Sequence, residues 1–138
     1  MAFKGEPLCR ILIVDDQEAF RRILRAMLNS HVGWMVCGQA SAGLQAVEQA
    51  KLLVPDLIIM DIFMPNMNGI DATRIIRAEV SESRILIISN DDPRVVQRQT
   101  LEADAHGFLT KDDLSRDLLP AIERILSGNG QTESREAS

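Results

Sequence analysis

The stretch "LIIMDIFMP", residues 57–65, decides the fold. Four apolar residues with no polar alternation suit a strand covered on both faces, as in a parallel sheet. The run then ends in a carboxylate, Asp61, followed by a bulky apolar pair, Ile62 and Phe63, and shortly after by a proline, Pro65. A buried strand has no packing use for an acid at its end. An acid displayed at the rim of a sheet can bind a cation or act as a nucleophile, and the choice depends on what else reaches that rim.

Working outward, the runs "ILIV" (11–14), "ILII" (85–88) and "GFL" (107–109) read as further strands, with "WMVCG" (34–38) a weaker one. Helical periodicity fills the gaps. Phe20, Ile23, Leu24, Met27 and Leu28 form one apolar stripe at i, i+3, i+4, i+7 and i+8. Ser41 is the expected cap of a second helix carrying Leu44, Val47 and Leu52, which stops before Pro55. Asn68 caps a third with Ile70, Ile75 and Ile76; Asp92-Pro93 opens a fourth with Val95, Val96 and Leu101. A fifth carries Leu118, Ile122, Ile125 and Leu126, and Pro120 places its start near Asp117 or else kinks it.

Five strand–helix repeats predict an α/β fold, with right-handed crossovers and helices on both faces of a parallel sheet. The 138 residues suffice for one domain that buries a core without staples. A net charge of −5 and pI near 5.0 argue against direct nucleic-acid binding, which needs clustered Lys and Arg. No apolar run approaches the roughly 20 residues that span a bilayer, and "MAFKGEPLCR" lacks a signal peptide's apolar stretch. Cys9 and Cys37, without CxxC spacing, read as reduced core thiols of a cytoplasmic protein.

In a parallel sheet all carboxyl ends share one side, where ligands bind. The residues there are Asp15 and Asp16, Asp61, Ser89 and, two positions past Leu109, Lys111. Any one of them has a plain structural role: a helix cap, a turn acid, a strand-end hydroxyl, a solvated lysine. Their arrival together at four strand ends is not a packing requirement. Three nearby carboxylates repel unless a proton or cation intervenes. Oxygen ligands suit Mg²⁺, with Mn²⁺ as a substitute. Lys111 can offset phosphoryl charge, Ser89 can donate to a phosphoryl oxygen, and an aspartate can form an aspartyl phosphate.

At these residues the chain resembles the receiver domain of bacterial two-component response regulators. The segments that match are "ILIVDDQ" (11–17), "DLIIMDIFMPNMNGID" (56–71), "ILIISN" (85–90) and "GFLTKDD" (107–113). The resemblance implies a flavodoxin-like (βα)5 three-layer sandwich with strand order 2-1-3-4-5. It implies a receiver domain over 9–127, an N-terminal extension over 1–8, and a disordered tail or interdomain linker over 128–138. Asp61 would be the phosphoacceptor for a histidine kinase or phosphotransfer protein. Asp16, Asp61 and the backbone carbonyl of Phe63 would ligate Mg²⁺, with Asp15 acting through a bound water. Ser89 would follow the phosphoryl group, Lys111 would pair with it, and Phe108 would stand at the switch aromatic, lacking a hydroxyl. Pro65 and Gly69 match the loop after the acceptor.

Two positions depart from the common pattern. Asn90 follows the switch hydroxyl where a small residue is frequent, and Asp112 follows the lysine where proline is frequent. Both resemble the branch with C-terminal helix-turn-helix output domains. The expected mechanism is a switch of the face made by the fourth helix, fifth strand and fifth helix, which recruits a partner or forms a homodimer. His31 and His106 read as surface or core histidines. The rival readings are a Mg²⁺-dependent aspartyl-phosphate phosphatase, a phosphorylation-independent interaction module and a flavodoxin. Phe63 stands where dehalogenase-like phosphatases present an acid, and "DDQEAF" would repel a flavin phosphate.

Overall fold

A computed structural model describes residues 9–128. The expected N-terminal extension and nearly all of the expected tail lie outside the described residues. The elements alternate as expected: β1 (Cys9–Val14), α1 (Glu18–Asn29), β2 (Trp34–Ala40), α2 (Gly43–Leu53), β3 (Leu57–Asp61) and α3 (Gly69–Glu79). β4 (Arg84–Ser89), α4 (Pro93–Glu102), β5 (Gly107–Thr110), a 3₁₀ turn (Lys111–Asp113) and α5 (Leu114–Leu126) complete the chain.

All strand pairs are parallel, in the order β2-β1-β3-β4-β5. The lack of polar alternation now has its cause: each strand feeds two cores. Leu12, Val14, Ile58, Met60, Ile85 and Ile87 point to one side, beneath α2, α3 and α4. Ile11, Ile13, Leu57, Ile59, Leu86 and Ile88 point to the other, beneath α1 and α5. Each such buried side chain contributes about 1.5–3 kcal/mol relative to exposure. The fold is the flavodoxin-like sandwich the motifs imply.

Asn68 caps α3 by accepting from the Asp71 N–H at 2.9 Å, and Asp92 caps α4 through the Arg94 N–H at 2.9 Å. Three local expectations are corrected. Ser41 is not the cap of α2: the cap is Ala42, and the Ser41 N–H donates to Gln45 Oε1 instead. The buried face of α2 is Gly43, Ala46, Val47 and Ala50, while Leu44 and Leu52 face solvent at 57% and 74% exposure. Small residues let α2 sit close: a side chain at Gly43 would overlap the Met67 backbone.

The third correction concerns α5, which begins at Leu114 rather than near Asp117, so Pro120 lies in its interior. Pro120 is exposed. The proline removes the helical partner of the Arg116 carbonyl, and both residues lie on the exposed face of the helix.

Candidate functional site

The loop after β1 presents the first two acids differently. Asp15 is fully buried, whereas Asp16 is exposed. Asp15 Oδ1 accepts the Gln17 N–H at 2.9 Å, folding the chain into α1, whose own cap makes no side-chain bond. The Asp15 N–H donates to the Ala40 carbonyl at 3.0 Å. Arg21 donates to the Asp15 carbonyl at 2.7 Å and to Gln39 Oε1 at 3.0 Å, tying the acidic loop to the edge strand β2.

Asp61 ends β3 and is 4% exposed. One carboxylate oxygen from each of Asp15, Asp16 and Asp61 lies within 4.8 Å of the others. Lys111, in the turn after β5, extends its ammonium to 2.9 Å from Asp15 Oδ2 and 3.6 Å from Asp61 Oδ1. Its side chain is 14% exposed, so little water screens these pairs. The structure thus brings Asp15, Asp16, Asp61 and Lys111 together at the carboxyl ends of three strands, β1, β3 and β5.

Burial is the main reason that the Asp61 carboxyl is pushed up from 3.8 to about 6, and the Asp15 carboxylate adds to it. Lys111 pulls the other way, Asp16 pushes up again, and a backbone N–H from Phe63 lowers it. The Phe63 side chain is 58% exposed beside the acid.

Ser89 is fully buried at the end of β4, one residue past Ile88, the register partner of Asp61. Its Oγ accepts the Asp91 N–H at 3.0 Å, so the hydroxyl is held within its own loop and keeps its proton for donation. Phe108 on β5 is half-buried and packs against the core beneath α2, α3 and α4. Asn90 is exposed beside Ser89, and Asp112 is exposed beside Lys111.

Gly69 explains the loop after Asp61. A Cβ there would overlap the Asp61 carbonyl oxygen and come 2.9 Å from its carbon and 3.0 Å from Ile62 Cα. The Gly69 N–H instead donates to the Ile62 carbonyl at 2.8 Å. Asn66, at φ 71°, turns the loop in the left-handed region that asparagine tolerates.

His106 is a core-type histidine: its Nδ1 accepts the Ile85 N–H at 3.0 Å. His31 stacks on Trp34 at 3.6 Å and lies 3.5 Å from Glu123. Neither reaches the site. Two neighbours of the site were not read as such in the sequence, where Phe20 counted only as part of an apolar stripe. Phe20 holds its ring centroid 4.2 Å from the Lys111 ammonium, and Arg21 braces the acidic loop. The available signal was position, since both stand about one helical turn past Asp16 at the start of α1.

Chemically, three carboxylates against one ammonium leave an excess of negative charge in a place with little water. Such a set can hold a hard dication through oxygen ligands. Among the described residues no helix is long and apolar enough to cross a membrane.

Comparison with known proteins agrees with this geometry. The chain is 35% identical over 132 residues to the transcriptional regulatory protein LiaR of Bacillus subtilis, covering 94% of this chain and 62% of LiaR. It is 30% identical over 121 residues to the response regulator UvrY of Escherichia coli, covering 88% of this chain and 56% of UvrY. The chain therefore spans about three-fifths of the length of these relatives. Among solved structures it matches a LuxR-family two-component response regulator from Aurantimonas sp. SI85-9A1. There the identity is 31% and the TM-score 0.83, over 92% of this chain and 97% of that one. It also matches the receiver domain of the response regulator NarL from Mycobacterium tuberculosis, at 30% identity and TM-score 0.82, over 90% and 99% of the two chains. The family profile of the response regulator receiver domain matches residues 11–123, and this chain belongs to that family.

Proposed function

We propose that Asp61 accepts a phosphoryl group from the phosphohistidine of a sensor histidine kinase or phosphotransfer protein, in a Mg²⁺-dependent reaction. The observation that carries the reading is the Lys111 ammonium, 2.9 Å from Asp15 and 3.6 Å from Asp61, inside the acidic cluster. An Asp61 oxygen attacks phosphorus; the new O–P bond forms as the P–N bond breaks. The imidazole nitrogen leaves with the electron pair and takes up a proton.

The donor set fits a hard divalent ion, since its oxygens converge and its negative charge exceeds what Lys111 neutralises. Asp15, Asp16, Asp61 and the Phe63 carbonyl would hold Mg²⁺, with Mn²⁺ as a substitute. Bound there, the cation supplies positive charge against the incoming phosphoryl oxygens. Lys111 supplies a further point charge, and Ser89 donates its hydroxyl proton to a phosphoryl oxygen.

Phosphorylation adds about −1.5 to −2 charges at Asp61. Ser89 moves toward the new oxygens and leaves room that Phe108 fills by packing alone. The face of α4, β5 and α5 then changes shape and recruits an output partner or a second copy of the chain. A swing from 1:99 to 99:1 takes about 5.5 kcal/mol of differential interaction, which several charge-assisted hydrogen bonds can supply. By likeness to regulators of transcription, the full protein's output is control of transcription in the cytoplasm, with no turnover of a substrate and no direct nucleic-acid contact by this segment.

The test is incubation with a small phosphodonor and Mg²⁺, followed by a phosphate-retarding gel. Wild type should give a retarded band that Asp61→Asn lacks. A band of equal strength in both, or none in wild type, overturns the proposal.

A further inference from the structure

Lys111 has a third partner that the reaction chemistry leaves out. Its ammonium lies 4.2 Å from the centroid of the Phe20 ring, well inside the ~6 Å within which a ring's negative face attracts a cation. The ring is half-buried in the first turn of α1 and packs from behind on the core beneath α1 and α5. It is therefore a fixed platform, while the lysine stem is a flexible arm.

We infer that Phe20 is a positioning residue for Lys111: its ring carries the ammonium between Asp15 and a phosphoryl group on Asp61. This rests on Asp61 being the acceptor. Before reaction the ammonium hydrogen-bonds Asp15 at 2.9 Å and stands farther from Asp61, at 3.6 Å. Pairing with a phosphoryl oxygen requires the ammonium, which carries three donors, to shift its weight from Asp15 toward Asp61. A hydrogen bond to a carboxylate weakens steeply with angle, so a lysine held by carboxylates alone would cross a gap between partners. Attraction to the face of a ring varies slowly as the cation slides over it. The ring thus keeps the cation inside a poorly hydrated pocket, and it limits the arm's freedom to swing into solvent. Leucine would fill the space of Phe20 but has no such face.

Two measurements decide this. The chain has three lysines, Lys4, Lys51 and Lys111, so the ε-protons are readily assigned by NMR. Those of Lys111 should be displaced upfield by the ring current, and Phe20→Leu should return them to the position of the other lysines. With a small phosphodonor and Mg²⁺, Phe20→Leu should slow phosphorylation about three- to tenfold, while Phe20→Tyr and Phe20→Trp stay near wild type. In a Lys111→Met background, Phe20→Leu should cause no further loss.

Undisplaced Lys111 ε-protons in wild type, or unchanged rates in Phe20→Leu, overturn the inference. Equal slowing by Phe20→Leu with and without Lys111 does so too, because it marks a packing defect. If wild type takes no phosphate at all, the acceptor reading fails and this inference with it. A wild type that is phosphorylated as fast as Phe20→Leu removes this inference alone.

Discussion

Replacing the acidic residue at the centre of the site should make the protein more stable. Asp61 is 4% exposed, and its carboxyl is pushed from 3.8 to about 6, chiefly by burial and next by Asp15. The folded state therefore holds a proton that the unfolded state has already released. Stability contributed by the neutral acid is present below about 3.8 and is lost as pH rises through about 6. At about 1.4 kcal/mol per pH unit, the penalty above pH 7 is about 3 kcal/mol. Asparagine keeps the shape and never ionises. For a chain of 138 residues the unfolding entropy is about 0.3 kcal/mol/K, so Asp61→Asn should raise Tm by about 10 °C. The assay is thermal unfolding by circular dichroism at pH 7.5 in EDTA, repeated across pH 4–8. The gap should shrink toward pH 4, and Mg²⁺ should narrow it at pH 7.5 by stabilising wild type alone. An Asp61→Asn Tm equal to or below wild type in EDTA would refute the electrostatic reasoning.

Other outcomes follow from other contacts. Gly69→Ala should cost about 2–4 kcal/mol by urea unfolding, because the new methyl overlaps the Asp61 carbonyl; a cost under about 0.5 kcal/mol would show that the loop yields freely. His106 is pushed down from 6.5 to about 4, first by burial and then by Arg77 and Arg84. Stability should thus fall as pH drops from 6.5 toward 4, by about 1–2 kcal/mol once its partial exposure is allowed for. His106→Asn, which keeps an acceptor for the Ile85 N–H, should flatten that slope; an unchanged slope counts against it. On α2, Leu52→Ala should change stability by less than about 0.5 kcal/mol, whereas Ala50→Leu should cost about 1–3 kcal/mol through overpacking. The reverse ranking by chemical unfolding would mean that the helix has turned its other face to the sheet.

The strands were legible because a parallel sheet covered on both faces demands unbroken apolar runs, and the polar residues ending those runs marked the rim. Site legibility had the same source: Asp15, Asp16, Asp61 and Lys111 stand at strand ends in the sequence and converge in space. Reading failed where it equated apolar with inward. Leu44 and Leu52 are apolar and face solvent, because α2 lies too close to its neighbours for anything larger than Ala46, Val47 and Ala50. The start of α5 was missed because the 3₁₀ turn of Lys111–Asp113 feeds straight into it, and Pro120 sits on its exposed face. Phe20 was counted as one more residue of a core stripe, since periodicity records which face a ring is on and says nothing of the cation above it.

The absence of a side chain at position 69 has a mechanical corollary. With no spacer between the head of α3 and the backbone of Asp61, the seven intervening residues, 62–68, form a loop pinned at both ends. Such a loop can take insertions only by bulging outward, around Asn66. Any re-engineering of the rim that lengthens it elsewhere would shift Asp61 and the helix as one body.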